Sequence, residues 1–188
     1  MHTELPFRVL LRLVHDLLVA RRKPFDEWAE PILVTSGRDD GDHVALHHWL
    51  RSVFDMAGPI SVAEVERLLV DRQLAIAREA VDLVMHDVVE TTDLRPEVVV
   101  DLYPGENTLR IAVNGNFTTP SMMKIERNAA IAEVADYLQE HIAERLRRTW
   151  PVCNHHGFGA HSRVAHGEAV WDCTRFDHTL ARVGELQS

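Results

Sequence analysis

Cysteine is scarce in this chain. Its 188 residues include two, Cys153 and Cys173. In a chain that we expect to be cytoplasmic, reducing conditions disfavour a disulfide between them. Histidines stand close to both cysteines, so the pair predicts metal ligands rather than a disulfide bridge.

Long hydrophobic runs are also missing. Residues 5–20 are mostly apolar, but Pro6, Arg8, Arg12 and Asp16 interrupt them, and the stretch is too short to cross a bilayer. Nothing resembles a secretory signal. These absences predict a cytoplasmic protein that does not insert into a membrane.

Positive charge is in short supply. Lys and Arg total 20 against 29 acidic residues, which gives a net charge of −9, and lysine occurs twice. The dominance of arginine is typical of a high-GC bacterial or phage genome. An acidic chain repels phosphate backbones at long range, so nucleic-acid binding is possible but not favoured. The local exception is a basic run, and we take Arg145, Arg147 and Arg148 as the candidate nucleic-acid contacts.

The chain lacks a glycine-rich phosphate loop, a nucleophile elbow and a Ser/His/Asp motif, so we assign no catalytic residues. Weaker signals are two pairs spaced by one helical turn, His43 with His47 and Asp82 with His86. Facing each other in a bundle, such pairs would ligate a catalytic metal. Exposed polar helix faces explain them better.

The periodicity predicts an α+β fold with a helical body, a β-hairpin, a long C-terminal helix and a small zinc-ribbon-like module. We place the body in residues 1–149 and the module in residues 150–188. Helices are predicted over residues 5–22, 43–57 and from Thr119-Pro120 to about 148, and residues 61 to about 90 are predicted to form one long helix or two helices with a kink. A possible short helix lies within 25–36, the hairpin covers about 97–113, and a short strand is expected at Phe117.

The order of helices and hairpin over residues 43–113 also suggests a winged helix. Against this, no turn signal separates its second and third helices. Acidic residues at Asp71, Glu79 and Asp82 would oppose phosphate contact on the presumed recognition surface.

The C-terminal segment has the spacing of a metal site. Cys153 and His156 are two residues apart before Gly157, and Cys173 and His178 follow a hairpin that turns at His166-Gly167. So short a segment buries too little apolar surface to fold alone, and a bound ion would compensate. We therefore predict a structural Zn²⁺ held by Cys153, His156, Cys173 and His178, with no open coordination position for catalysis.

Neighbouring side chains leave the ligand set open. His155 is an alternative to His156, and His161, His166 or Asp177 is an alternative to His178. Ordinary buried thiols with incidental histidines are the simplest competing interpretation.

The runs Trp150-Pro151-Val152-Cys153, Ala169-Val170-Trp171-Asp172-Cys173 and Val183-Gly184-Glu185-Leu186 resemble the tail of a group of small actinobacterial proteins. In those, a "WPxCPxHG" knuckle, a strand with tryptophan that ends in cysteine, and a "VGEL"-like end follow a helix. The resemblance covers about a fifth of the chain and implies a zinc-ribbon-like module, without an activity. Asn154 stands where that pattern has proline, and His178 where a second cysteine is expected.

From these patterns we expect a non-enzymatic assembly or adaptor protein that binds a protein partner or itself. The alternatives are a nucleic-acid-binding regulator with winged-helix-like and zinc-ribbon parts, and a metal-dependent hydrolase that uses a His/Asp site in the helical body.

Overall fold

The computed structural model describes residues 24–34, 40–103, 108–117 and 124–187. This part of the chain combines helices with two small antiparallel sheets, which confirms the mixed α+β class. Contacts divide the chain into two compact units, residues 1–65 and 66–188. The predicted helix over residues 5–22 and the predicted cap at Thr119-Pro120 lie outside the described residues.

The first unit contains α1, described over residues 24–34, and α2, Asp40–Ala57. The helix predicted over residues 43–57 is therefore confirmed and begins three residues earlier. Phe25 is buried, and its ring meets the His47 ring edge-on at a centroid distance of 5.2 Å. The aromatic contact joins the two helices within this unit.

The next helix, α3, runs without interruption over Val62–Thr91, and the boundary between the two units falls in its first turn. The Ser61 hydroxyl accepts a hydrogen bond from the Glu64 backbone N–H at 3.3 Å, as the predicted cap requires. Because α3 is continuous, it contains no turn of the kind that separates the last two helices of a winged helix. None of the described helices is long and apolar enough to cross a membrane.

The first sheet follows α3 and confirms the predicted hairpin. Strand β1, Val98–Leu102, pairs antiparallel with β2, Leu109–Val113. A short β3, Asn116–Phe117, pairs with the end of β2, which confirms the strand expected at Phe117. The sheet contributes buried Val100 and Ile111 to the core of the second unit.

The last helix, α4, covers Arg127–Leu146. The Glu126 carboxylate caps it by accepting a hydrogen bond from the Ala129 backbone N–H at 2.7 Å. One face of α4 is buried, and it consists of Ala130, Ile131, Val134, Ala135, Leu138 and Ile142. Their spacing of three and four residues produces a single apolar face toward the core.

The second sheet consists of β4, Ala160–Ala165, β5, Glu168–Cys173, and β6, Thr179–Arg182, in that order. The predicted turn joins β4 to β5, with His166 and Gly167 at φ angles of 51° and 79°. Two successive positive φ values are typical of the two-residue turns that close hairpins. The sequence did not predict β6.

The C-terminal segment packs into the same core as α3, α4 and the first sheet. Its contribution to that core consists of Trp150, Ala160, Ala169, Trp171, Val183 and Leu186. Residues 150–187 therefore belong to the same compact unit as α4, and the domain boundary at residues 149 and 150 stays a prediction. β5 is buried along most of its length, and its apolar side chains lie in a core shared with α3 and α4 rather than in an interior of the segment's own.

Candidate metal centre

Two loops at one end of the second sheet carry the predicted ligands. In the first loop, the Cys153 carbonyl accepts hydrogen bonds from the backbone N–H groups of His156 at 3.2 Å and Gly157 at 2.8 Å. Gly157 has a φ of 70°, a conformation that glycine adopts without steric cost. This tight turn directs Cys153 and His156 toward the same point.

The second loop connects β5 to β6. The Cys173 backbone N–H donates to the His178 carbonyl at 2.9 Å, so the loop begins and ends at the two predicted ligands. The Thr174 backbone N–H donates to the Gly159 carbonyl at 2.9 Å, and this bond holds the second loop against the first.

Three of the four predicted ligands converge. Potential ligand atoms of Cys153, His156 and His178 all lie within 4.8 Å of one another. The Cys153 Sγ and the His156 Nδ1 are 3.3 Å apart. For zinc with ordinary Zn–S and Zn–N bonds, tetrahedral geometry places two such ligand atoms about 3.5 Å apart. The donor types and their spacing thus fit a zinc ion.

The fourth predicted ligand, Cys173, is not a member of that group of three but lies beside it. The side chain of Cys153 and the backbone N–H groups of Arg175 and Phe176 lie near its sulfur and act as hydrogen-bond donors in lowering the pKa of the thiol. The bond from Arg175 is the main cause of a lowered pKa of the Cys173 thiol. Both cysteines are buried, and both are free thiols. A lowered pKa favours the thiolate, which is the form that binds metals.

The alternative ligands are placed less favourably. The His155 ring lies 5.1 Å from the His178 ring between centroids and lines the same cavity of about 440 Å³, but it is not part of the convergent group. His161 pairs across the ladder with Asp172, and His166 occupies the turn at the far end of the hairpin. The Asp177 side chain is fully exposed.

Polar side chains brace the second loop from the adjoining strands. Asp172, directly before Cys173, accepts hydrogen bonds from the Arg163 Nε and the Thr179 hydroxyl, both at 2.6 Å. Burial by itself would raise the pKa of Asp172, but these hydrogen bonds and the Arg163 charge lower it below its ordinary value. Asp172 therefore links all three strands of the second sheet at the point where the loop begins.

A structural residue that the sequence did not reveal is Asp87, in the last turns of α3. Its carboxylate accepts hydrogen bonds from the Trp171 indole at 2.7 Å and from the backbone N–H groups of Gly184 at 2.7 Å and Leu186 at 2.8 Å. Burial raises the pKa of Asp87, although all three hydrogen bonds act in the opposite direction. The carboxylate thus fastens the C-terminal segment to α3.

The tryptophans of the C-terminal segment extend this attachment. The Trp150 indole donates to the Thr91 hydroxyl at 2.9 Å, and that hydroxyl donates to the Asp87 carbonyl at 2.6 Å. The Trp150 and Trp171 rings pack edge to face at 5.4 Å between centroids. Both tryptophans and the Val183–Leu186 stretch belong to the sequence pattern that suggested a ribbon. In the structure they also contribute buried side chains to the core.

The upstream candidates form no comparable centre. Among the residues that the structure describes, Cys153, His156 and His178 are the one group of three or more converging potential ligands. His43 and His47 line a shallow recess of the first unit, and Asp82 and His86 are exposed on α3. The three arginines proposed as nucleic-acid contacts, Arg145, Arg147 and Arg148, are exposed at and just beyond the end of α4.

The chain matches no known family model, and no curated protein or solved structure matches it. The likeness of its C-terminal segment to the actinobacterial tail stays a prediction.

Proposed function

We propose that this protein binds one structural zinc ion through Cys153, His156, Cys173 and His178, and that it is a non-enzymatic assembly or adaptor protein. The observation that carries the metal assignment is the convergence of Cys153, His156 and His178 from two loops at one end of a sheet. The position of Cys173 beside Cys153 supports its role as the fourth ligand.

The charges of this ligand set suit a divalent ion. Two thiolates balance the two positive charges of zinc, while two neutral imidazoles complete a tetrahedral shell. The N–H groups that point at the Cys173 sulfur stabilise its thiolate without competing for the metal. A shell of four protein ligands leaves no position for a reactive water, which favours a structural role over catalysis.

The assembly role is supported by apolar side chains that the first unit exposes on its helices. Val34, Val44 and Met56 have exposed fractions of 76%, 55% and 82%. Contact with a protein partner or a second copy would remove this surface from water. Size-exclusion chromatography with light scattering would detect self-association. We expect the double variant Val44→Asp/Met56→Asp to abolish that self-association. If the wild type is a monomer and retains no protein partner in pull-down experiments, the assembly role is excluded.

Elemental analysis of the purified protein tests the metal assignment directly. We expect one zinc per chain in the wild type and loss of zinc in Cys153→Ala, His156→Ala, Cys173→Ala and His178→Ala. His161→Ala is the matched control, since this nearby histidine lies outside the convergent group. Full zinc occupancy in Cys173→Ala, in a variant that remains folded by circular dichroism, would exclude Cys173 as a ligand.

A hydrolytic role would produce a different result. Purified protein would turn over generic chromogenic phosphate or peptide substrates, and His43→Ala would abolish that turnover. Turnover that is lost in His43→Ala would overturn the non-enzymatic assignment. It would not affect the zinc assignment, which the elemental analysis tests separately.

A further inference from the structure

A second cleft in the unit formed by residues 66–188 has the character of an anion site. It has a volume of about 590 Å³ and lies between the segment that follows α3, the end of β2 and the last turns of α4. Its volume is within the range of small-molecule sites, roughly 300–1,000 Å³. None of the predicted metal ligands lines it.

Positive charge dominates this cleft, in a chain whose net charge is −9. Arg95, Arg145 and Arg147 line it together with His141, against a single carboxylate, Glu144. Guanidinium groups bind phosphate oxygens through paired N–H donors, which makes arginine the preferred side chain for such ligands.

Two of the three arginines keep their guanidinium groups available within the described part of the chain. Among the described residues, the side chains of Arg145 and Arg147 form no ion pair or hydrogen bond, and both are exposed. The Arg95 guanidinium donates to the carbonyls of Thr92 at 3.0 Å and Leu94 at 2.7 Å. Those bonds fix its position at the C-terminal end of α3, whose carbonyl groups offset part of its charge.

The end of α4 opposes an anion, so its effect must be weighed. A helix C-terminus carries about half a negative charge. Here the backbone N–H groups of Arg147 and Arg148 already occupy the carbonyls of Glu144 and Ala143, at 3.1 Å and 3.2 Å. Three guanidiniums, one carboxylate and the ends of α3 and α4 sum to roughly +1. The cleft therefore remains attractive to a dianion.

The remaining walls suit an organic group attached to that anion. Leu94 is half-buried and is the main apolar side chain on these walls, because Val113 and Ile142 behind it are almost completely buried. Asn114 and Asn116 add amide groups at the rim. The Asn114 side-chain oxygen accepts a hydrogen bond from the Glu97 backbone N–H at 3.1 Å, which positions this amide. The volume also exceeds what an inorganic phosphate ion would fill.

We propose that this cleft binds a small phosphate-bearing organic molecule, with Arg145 and Arg147 on the phosphate and Leu94 against the organic group. This site is independent of the zinc assignment, because the two share no residue.

Isothermal titration of the full chain with phenyl phosphate, inorganic phosphate and phenol tests the site. We expect phenyl phosphate to bind more tightly than inorganic phosphate, and phenol not to bind. Arg145→Gln/Arg147→Gln should weaken phenyl phosphate at least ~10-fold, since hydrogen bonds to charged groups are the strong ones. The matched control is Arg72→Gln/Arg78→Gln, which removes the same charge from exposed positions on α3.

Perturbation of the Asn114 and Asn116 side-chain amide signals in NMR spectra would locate the ligand in the cleft. Undetectable binding of phenyl phosphate at millimolar concentrations would overturn the site, as would equal weakening in both double variants. Binding of a single-stranded DNA oligonucleotide without any binding of phenyl phosphate would also overturn it, in favour of an extended nucleic-acid surface.

Discussion

Replacing Asp87 with alanine removes the acceptor that three N–H groups share. The Trp171 indole and the backbone N–H groups of Gly184 and Leu186 all donate to its carboxylate, and Asp87 itself is completely buried. A hydrogen bond to a charged group contributes about 1.5–3 kcal/mol, and these contributions are not additive when they share one acceptor. Removal of the carboxylate also relieves the cost of burying it. We therefore expect Asp87→Ala to lower the free energy of unfolding by about 3–5 kcal/mol.

Asp87→Asn should lower the free energy of unfolding by less than Asp87→Ala, because of how the three donors divide between the two oxygens. The Oδ2 atom accepts from Trp171 and Gly184, whereas Oδ1 accepts from Leu186. An amide has one oxygen, so either orientation places its NH₂ group against at least one N–H donor. We expect a loss of about 1–3 kcal/mol, which is the cost of a buried donor without an acceptor.

Urea unfolding followed by tryptophan fluorescence measures these losses. Asp82→Ala is the matched control, because Asp82 is the same residue type on the same helix but exposed. Hydrogen exchange adds a local measurement, in which the amides of Gly184 and Leu186 should lose protection in Asp87→Ala before β5 does. If Asp87→Ala is no more destabilising than Asp82→Ala, the carboxylate does not fasten the C-terminal segment to α3.

Three further perturbations follow from the same structure. Gly184→Ala should destabilise the protein by about 1–3 kcal/mol in urea unfolding. Gly184 has a φ of 93°, and the new methyl carbon would lie 2.6 Å from the Leu83 Cδ2. An unchanged urea midpoint would contradict this. His166→Asn should raise the free energy of unfolding by up to about 1 kcal/mol, since asparagine tolerates the φ of 51° at this turn, whereas His166→Val should lower it. Chelation with EDTA should remove hydrogen-exchange protection from the loop between β5 and β6 and leave β4 and β5 protected; global unfolding on chelation would contradict the shared core.

The local patterns that the sequence predicted well are those in which one residue type decides the geometry. Ser61 caps α3 with its hydroxyl, and Gly167 permits the turn between β4 and β5. The strand at residues 179–182 was missed because Thr-Leu-Ala-Arg has no alternating pattern. It is a strand because it pairs with β5, across a register shift at Trp171 and Asp172. Pairing of this kind is a tertiary property.

The candidate site, too, has features that the sequence predicted and others that it did not. Spacing within each loop brought out Cys153 with His156 and Cys173 with His178, and the structure brings three of the four into one group. The partner of Trp171 could not be inferred, because Asp87 lies 84 residues earlier in the chain. An aspartate on an amphipathic helix is ordinarily exposed, and only the packing of the C-terminal segment against α3 buries this one.

The shared core changes the role that a metal would have in this protein. The sequence suggested that an ion must replace a missing interior, yet Trp171 is completely buried and Trp150 nearly so. Burial of large apolar side chains stabilises a fold by about 1.5–3 kcal/mol each. Together with the Asp87 hydrogen bonds, these contacts attach the sheet to α3 through groups other than the predicted metal ligands. A zinc ion at the two loops would therefore order their local conformation, whereas the core would determine whether the C-terminal segment folds.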